Sequence, residues 1–193
     1  MKMPFFGKDQ PGKTYCYTPT TINLLGIVNC NPEKKVLHAY AYSAEEGGKG
    51  DNNVASLIMK HLKDCGLLDG KKQKRLNIVM ANCSGQNKNN IMLRLAPYLQ
   101  EKGYFRDFTF LVVGHTKNVA NCLFNTLKKL YQQMNSFLMR MLIKVLEHEQ
   151  AIPHEVNWHD FKDWDKHLSQ IYKKMWSVLK WQMFQSWTKH GLT

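Results

Sequence analysis

Hydrophobic residues recur along the chain with two different periods, which predict strands and helices in alternation. Short apolar runs predict four strands, at 21–30, 34–42, 76–80 and 108–115. Apolar residues three or four positions apart predict three helices, at 54–66, 87–101 and 118–131. The order strand, strand, helix, strand, helix, strand, helix predicts an α/β sandwich whose later strands are parallel.

The pattern changes after residue 133, which divides the predicted protein into an α/β domain (1–133) and a helical, Trp-rich C-terminal extension (134–193). Helices predicted at 135–149 and 164–179 are joined by a predicted linker, 151–160. We expect the aromatic face of the extension to pack on the main domain. The alternative is a surface for a protein partner or for stacked bases. The extension contains every tryptophan of the chain: Trp158, Trp164, Trp176, Trp181 and Trp187.

The charge of the chain indicates an anionic partner. The formal net charge is +12, from 27 basic and 15 acidic residues. Such a surplus favours nucleic acid, DNA in particular, although a basic and inert surface is the alternative. No apolar run approaches the roughly 20 residues that span a bilayer, and the start of the chain has no secretory signal. We therefore expect an intracellular protein without a membrane partner, and the nucleus is a compatible compartment.

Cysteine and histidine spacing predicts no metal site. The five cysteines form no CxxC pair and have no zinc-ligand spacing, so we expect free thiols. His154 and His159 lie in the predicted linker without partner cysteines, and we interpret the histidines as surface residues.

The stretch "LNIVMANCSGQNKNN" places a polar loop at the end of a predicted strand. The loop lacks the glycine spacing and the Lys-Ser/Thr pair of a P-loop, so nucleotide hydrolysis is not predicted. Its backbone amides, helped by a lysine, could hold a phosphate at a helix start. A nucleic-acid-binding cleft is then predicted between Gln86, Lys88, His115 and Lys117. The alternative is a loop in which Ser84 is a local helix cap.

Several longer motifs carry a resemblance to a known family. They include "FFGKDQPGKTYCYTP", "GKGDNNVASLIMKHL", "NCSGQNKN" and "VVGHTKNVANCLFNTLKK". From about residue 4 to residue 181 the chain resembles a multi-copy domain of unknown function in transposon-derived eukaryotic genes. The resemblance implies an integrase or transposase relative with an RNase H-like fold, which is a three-layer sandwich around a mixed sheet.

The resemblance also implies a metal site that this chain lacks. RNase H-like transferases hold two divalent metals with carboxylates, and relatives have acids where this chain has Ala81, Asn121 and Asn53. The first-strand acid would lie upstream of the first motif, so we expect the first strand to be missing. No cofactor is therefore predicted. Mg²⁺ or Mn²⁺ would bind only at an unrecognised acidic site, such as the loop that contains Glu45, Glu46 and Asp51.

These observations lead to one function hypothesis and three alternatives. We expect a catalytically degenerate transposase- or integrase-like protein that retains nucleic-acid binding and has no small-molecule cofactor. The first alternative is an active nuclease or strand transferase with displaced carboxylates. The second is a protein-interaction module built on the tryptophan-rich tail, and the third is a gene product without function. The sequence does not predict an oligomeric state.

Overall fold

The computed structural model describes residues 1–6, 19–30, 34–68, 76–83, 85–103, 105–111 and 118–172. Within these ranges, no helix is long and apolar enough to cross a membrane. The fold is mixed α/β, with both parallel and antiparallel strand pairs, as the hydrophobic pattern predicts. The RNase H-like assignment stays a prediction.

The strands and helices follow one another in the predicted alternation, with additional short strands. A turn of 3-10 helix at Trp158–Asp160 precedes the last helix. In chain order the elements are β1 (Lys2–Met3), β2 (Phe5–Phe6), β3 (Thr20–Cys30), β4 (Lys35–Ser43), α1 (Asp51–Asp64), β5 (Leu76–Met80), α2 (Asn90–Glu101), β6 (Phe105–Phe110), α3 (Val119–Gln133), β7 (Asn135–Ser136), α4 (Met139–Leu146), β8 (Ala151–Glu155) and α5 (Trp164–Ile171).

The largest described sheet has the strand order β1-β3-β4-β8. Strands β3 and β4 form an antiparallel hairpin, in register from Ile22 opposite Ser43 to Cys30 opposite Lys35. Side chains alternate between the two faces of a strand, and β4 is covered on both faces. Leu37, Ala39 and Ala41 pack against residues of α3 and α4, whereas Tyr40 packs with Leu57 of α1. Helices therefore cover both faces of this sheet.

Strand β8 corrects the prediction of a linker at 151–160. It pairs in parallel with β4, from Leu37 opposite Ala151 to Ala41 opposite Glu155. The region 134–193 is therefore not only helical, because one of its segments is an edge strand of the main sheet. The predicted helix at 135–149 is shorter than expected and forms α4.

Strands β5 and β6 form a separate parallel pair connected through α2. Such a strand-helix-strand unit is what the alternating pattern predicts. The apolar run predicted at 108–115 is displaced, since β6 begins at Phe105 and ends at Phe110. Residues 112–117 lie outside the part of the chain that the structure describes.

The last described helix, α5, packs on α2. Trp164, Leu168 and Tyr172 are buried in one cluster with Leu95 and Leu99 of α2. An ion pair between Arg94 and Asp165, 2.8 Å apart, joins the same two helices at the surface. The segment after residue 133 is thus part of the core through both β8 and α5.

Candidate functional site

The carboxyl ends of β5 and β6 lie side by side at one edge of their sheet. Met80 pairs with Phe110, and the Leu111 N–H donates to the Met80 carbonyl oxygen at 2.9 Å. In parallel α/β units, ligands bind at this edge because the connecting loops converge there. The loop that carries Gln86 and Lys88 follows β5 at this edge, and the described range after β6 ends at Leu111. Gln86 and Lys88 are described, whereas His115 and Lys117 lie outside the described residues.

The loop after β5 is a closed turn held by its own hydrogen bonds. The backbone N–H groups of Gln86, Asn87 and Lys88 point at the Cys83 carbonyl oxygen, at 3.3, 2.8 and 2.9 Å. The Asn87 side-chain amide donates to the Ala81 carbonyl oxygen at 2.9 Å, which attaches the turn to the strand end. Helix α2 then begins at Asn90 rather than at the predicted residue 87.

This geometry reduces the number of backbone amides that could hold a phosphate, and the phosphate site itself stays a prediction. A backbone N–H that already donates within the turn is not available to an anion. The first turn of α2 is also capped, because the Asn89 side chain accepts from the Met92 N–H at 3.1 Å. The alternative cap, Ser84, lies outside the described residues. The side chains of Gln86 and Lys88 are partly buried.

The three positions where acids were expected from the resemblance lie on different elements. Ala81 is exposed directly after β5, and Asn121 is exposed in the first turn of α3. Asn53 lies in the first turn of α1, where its side-chain amide donates to the Gly48 carbonyl oxygen at 2.9 Å. A carboxylate at residue 53 could not donate this bond. The asparagine therefore has a structural use that an acid lacks.

Two acids of the glycine-rich loop accept hydrogen bonds from backbone N–H groups. Glu46 Oε2 accepts from the Trp158 N–H at 2.6 Å, which ties the loop to the 3-10 helix. Asp51 Oδ1 accepts from the Asn52 N–H at 3.0 Å. Among the described residues, the set of potential metal ligands that converges contains neither of these acids. It contains histidine and cysteine.

That convergent set lies between the β3-β4-β8 sheet and α1, and it was not predicted from the sequence. It consists of His38 on β4, His61 on α1 and Cys65 directly after α1, whose potential ligand atoms all lie within 4.8 Å of one another. His154 on β8 adds a third imidazole, with its Nε2 3.0 Å from His38 Nδ1. The Asn29 carboxamide lies among them, with its Oδ1 2.8 Å from His61 Nε2. We call these five residues the His/Cys cluster.

The surroundings of the His/Cys cluster lower the pKa of its imidazoles. The pKa of His61 is lowered to about 4, first by burial and then by the neighbouring His38 and His154. Burial also lowers the pKa of His38 and that of His154. The cause is physical, because burial disfavours the charged imidazolium and each imidazolium would repel the next. Burial raises the pKa of the Tyr40 phenol, which lies 2.8 Å from His61 Nδ1.

Two signals in the sequence pointed to the His/Cys cluster. His61 and Cys65 are four residues apart, which puts them on one face of a helix. His38 and Tyr40 are two apart, which puts them on one face of a strand. The contribution of His154 could not be predicted, because its segment was assigned to a linker. The expectation of surface histidines is therefore wrong for His61, whose exposed fraction is 3%.

The described tryptophans have opposite environments. Trp164 is buried in the α2-α5 cluster. Trp158 has an exposed fraction of 62% and lies against the His159 ring, with ring centroids 3.5 Å apart. Trp176, Trp181 and Trp187 lie outside the described residues. A protein-interaction role for the tail therefore stays a prediction. Among the described tryptophans, Trp158 is the exposed one.

A protein-family model matches almost the whole chain. The family is described as Domain of unknown function (DUF7869), and its model matches residues 17–191. No curated protein and no solved structure matches the chain. Since the matched segment covers far more than half of the sequence, the chain belongs to the DUF7869 family.

Proposed function

We propose that the chain is a catalytically degenerate, transposon-derived domain of the RNase H-like class that binds DNA at the carboxyl edge of β5 and β6. The observation that supports this proposal is the edge at which β5 and β6 end side by side. Because Met80 and Phe110 are opposite each other, a phosphate backbone at this edge would lie next to the loop that contains Gln86 and Lys88.

The charge of the flanking sequence supports an anionic ligand at this edge. Residues 70–100 contain six basic and no acidic residues, and residues 108–146 contain five basic and no acidic residues. These ranges include β5, α3 and all of α2 except its last residue, Glu101. Lys and Arg neutralise phosphates and release counterions, which is the largest sequence-independent part of DNA binding.

The same absence of acids argues against metal-dependent strand chemistry at this edge. Mg²⁺ and Mn²⁺ require hard oxygen ligands, and carboxylates are the usual ones. Ala81 offers only a methyl group at the end of β5, and the first turn of α3 has the amide of Asn121 instead of a carboxylate. The proposal is therefore binding without cleavage.

A charge-reversal pair tests the location of the interface. Lys88→Glu and Lys102→Glu change the net charge equally, at opposite ends of α2. We expect Lys88→Glu to weaken binding to a labelled duplex. The variant should also make the negative slope of log affinity against log salt concentration shallower by about 1, which is the effect of losing one phosphate contact. Fluorescence anisotropy over a salt series measures both quantities, and Lys102→Glu should leave the slope unchanged.

Three outcomes would contradict the proposed interface. Equal effects of the two variants would indicate diffuse attraction by net charge. Binding that does not depend on salt would exclude the basic surface as the determinant. The absence of any binding to duplex or single-stranded DNA at low salt would remove DNA from the proposal.

A DNA-cleavage assay tests the alternative of an active nuclease or strand transferase. We expect no cleavage when purified protein is incubated with labelled DNA and Mn²⁺. The double variant Ala81→Asp, Asn121→Asp is expected to stay inactive too, because a two-metal site needs a further carboxylate. Gel analysis of the DNA measures both results. Metal-dependent cleavage that persists through repurification would replace the degenerate function with that of a nuclease or strand transferase.

A further inference from the structure

We propose that His38, His61 and Cys65 form a binding site for a divalent transition metal of the zinc class. This site is separate from the strand edge at which DNA binding is proposed, and neither proposal depends on the other. Nitrogen and sulfur donors select zinc and its neighbours over Mg²⁺ or Ca²⁺, which prefer oxygen.

The three donor atoms face a common centre. Asn29 Nδ2 lies 3.2 Å from His38 Nε2 and 3.5 Å from Cys65 Sγ, and Asn29 Oδ1 lies 2.8 Å from His61 Nε2. The carboxamide of Asn29 thus lies at the point where these three groups meet. A metal at this position would displace the Asn29 side chain, after which Asn29 Oδ1 or a water molecule would provide a fourth ligand.

The spacing of the donors is close to that of a tetrahedral site. Metal bonds of about 2.1 Å to nitrogen and 2.3 Å to sulfur place neighbouring donors about 3.4–3.8 Å apart. Cys65 Sγ is 3.8 Å from His61 Nε2, which is within this range, and it is equally far from His61 Nδ1. The remaining donors, all within 4.8 Å, need to approach by about 1 Å or less to satisfy these bond lengths.

The second nitrogen of each imidazole has a partner suited to a metal ligand. His38 Nδ1 lies 3.0 Å from His154 Nε2, and His61 Nδ1 lies 2.8 Å from the Tyr40 hydroxyl oxygen. Metal-bound histidines commonly donate their other N–H to such a group, which fixes the ring and leaves the facing nitrogen free to coordinate. In both histidines the nitrogen left for the metal is Nε2, the one that faces Asn29. His154 and Tyr40 would then be positioning residues.

The proposed ligands are shielded from solvent. His61 is almost fully buried, and His38 and Cys65 are partly buried. The ligands come from β4, from α1 and from the residue after α1. A bound metal would therefore tie α1 to the sheet.

Cobalt is a suitable probe, because a thiolate bound to Co²⁺ gives a charge-transfer absorption band. We expect the full chain, purified reduced and metal-free, to bind one Co²⁺ with this band and to lose the band when Zn²⁺ is added. Cys65→Ser should abolish the band. Cys122→Ser removes an exposed thiol on α3 and should leave both band and stoichiometry unchanged.

Two further variants separate a metal site from a hydrogen-bonded cluster. His154→Ala should keep the band but weaken Co²⁺ binding about 10- to 100-fold, the effect of losing such a positioning partner. Asn29→Asp adds an anionic oxygen at the centre and should tighten binding. Absence of a band in the parent chain, a band that survives Cys65→Ser, or an Asn29→Asp affinity equal to that of the parent would each overturn the proposal.

Discussion

Replacing Leu168 by alanine is expected to lower the free energy of unfolding by about 2–5 kcal/mol, the range for removing a fully buried leucine. Leu168 has an exposed fraction of 0% and packs in the α2-α5 cluster. The substitution removes buried apolar contacts and leaves a cavity that neighbouring side chains fill only in part. Urea denaturation followed by circular dichroism measures the change, provided that the transition is two-state.

Ile171 is the matched control for this substitution. It lies in the same helix, but its exposed fraction is 48%. We expect Ile171→Ala to change the unfolding free energy by less than about 1 kcal/mol, since its side chain is only partly removed from water. If the two variants lose equal stability, then α5 does not pack on α2 through the face that includes Leu168.

A second large effect is expected at Gly26, in the middle of β3. A Cβ built on Gly26 would lie 2.1 Å from the Phe124 ring of α3 and 2.9 Å from Leu37 on the neighbouring strand. The absence of a side chain at this position therefore lets α3 approach the sheet. We expect Gly26→Ala to cost about 1–3 kcal/mol of unfolding free energy, the usual range for overpacking a core. Thermal and urea denaturation measure the cost.

Gly48 provides the control for Gly26. A Cβ built on Gly48 would meet only a backbone atom, at 3.9 Å, which is ordinary contact. Gly48→Ala is therefore expected to stay within about 0.5 kcal/mol of the parent chain. Equal stability of the parent and the Gly26→Ala variant would mean that α3 lies farther from β3 than described.

The elements with strong periodicity could be predicted from the sequence, whereas β8 could not. Helix α1 and the β3-β4 hairpin have clear apolar patterns. Strand β8 contains Pro153, and proline usually argues against a strand because it cannot donate to a ladder. It is tolerated here because β8 is at the edge of the sheet. Its partner β4 lies far away in sequence, and no local pattern reveals such a pairing.

The two candidate sites were predictable to different degrees, because one is built from consecutive elements and the other from elements far apart in sequence. The polar loop at the end of β5 could be located because strand, loop and helix are consecutive. The hydrogen bonding of this loop could not be predicted, because the pattern does not show that three backbone amides would point at the Cys83 carbonyl oxygen. The His/Cys cluster joins β3, β4, α1 and β8. Spacing shows only the local pairs His61 with Cys65 and His38 with Tyr40, and the rest depends on how the sheet is assembled.

The parallel pairing of β8 with β4 also affects the order of events during synthesis. Leu37 pairs with Ala151, so the ribosome releases the hairpin long before it releases the strand that covers the β4 edge. At translation speeds of about 5–20 residues per second, that edge waits on the order of ten seconds for its partner. An uncovered strand edge can pair with another nascent chain. The risk of such mispairing depends on how quickly residues 44–155 are translated, and not on the stability of the finished fold.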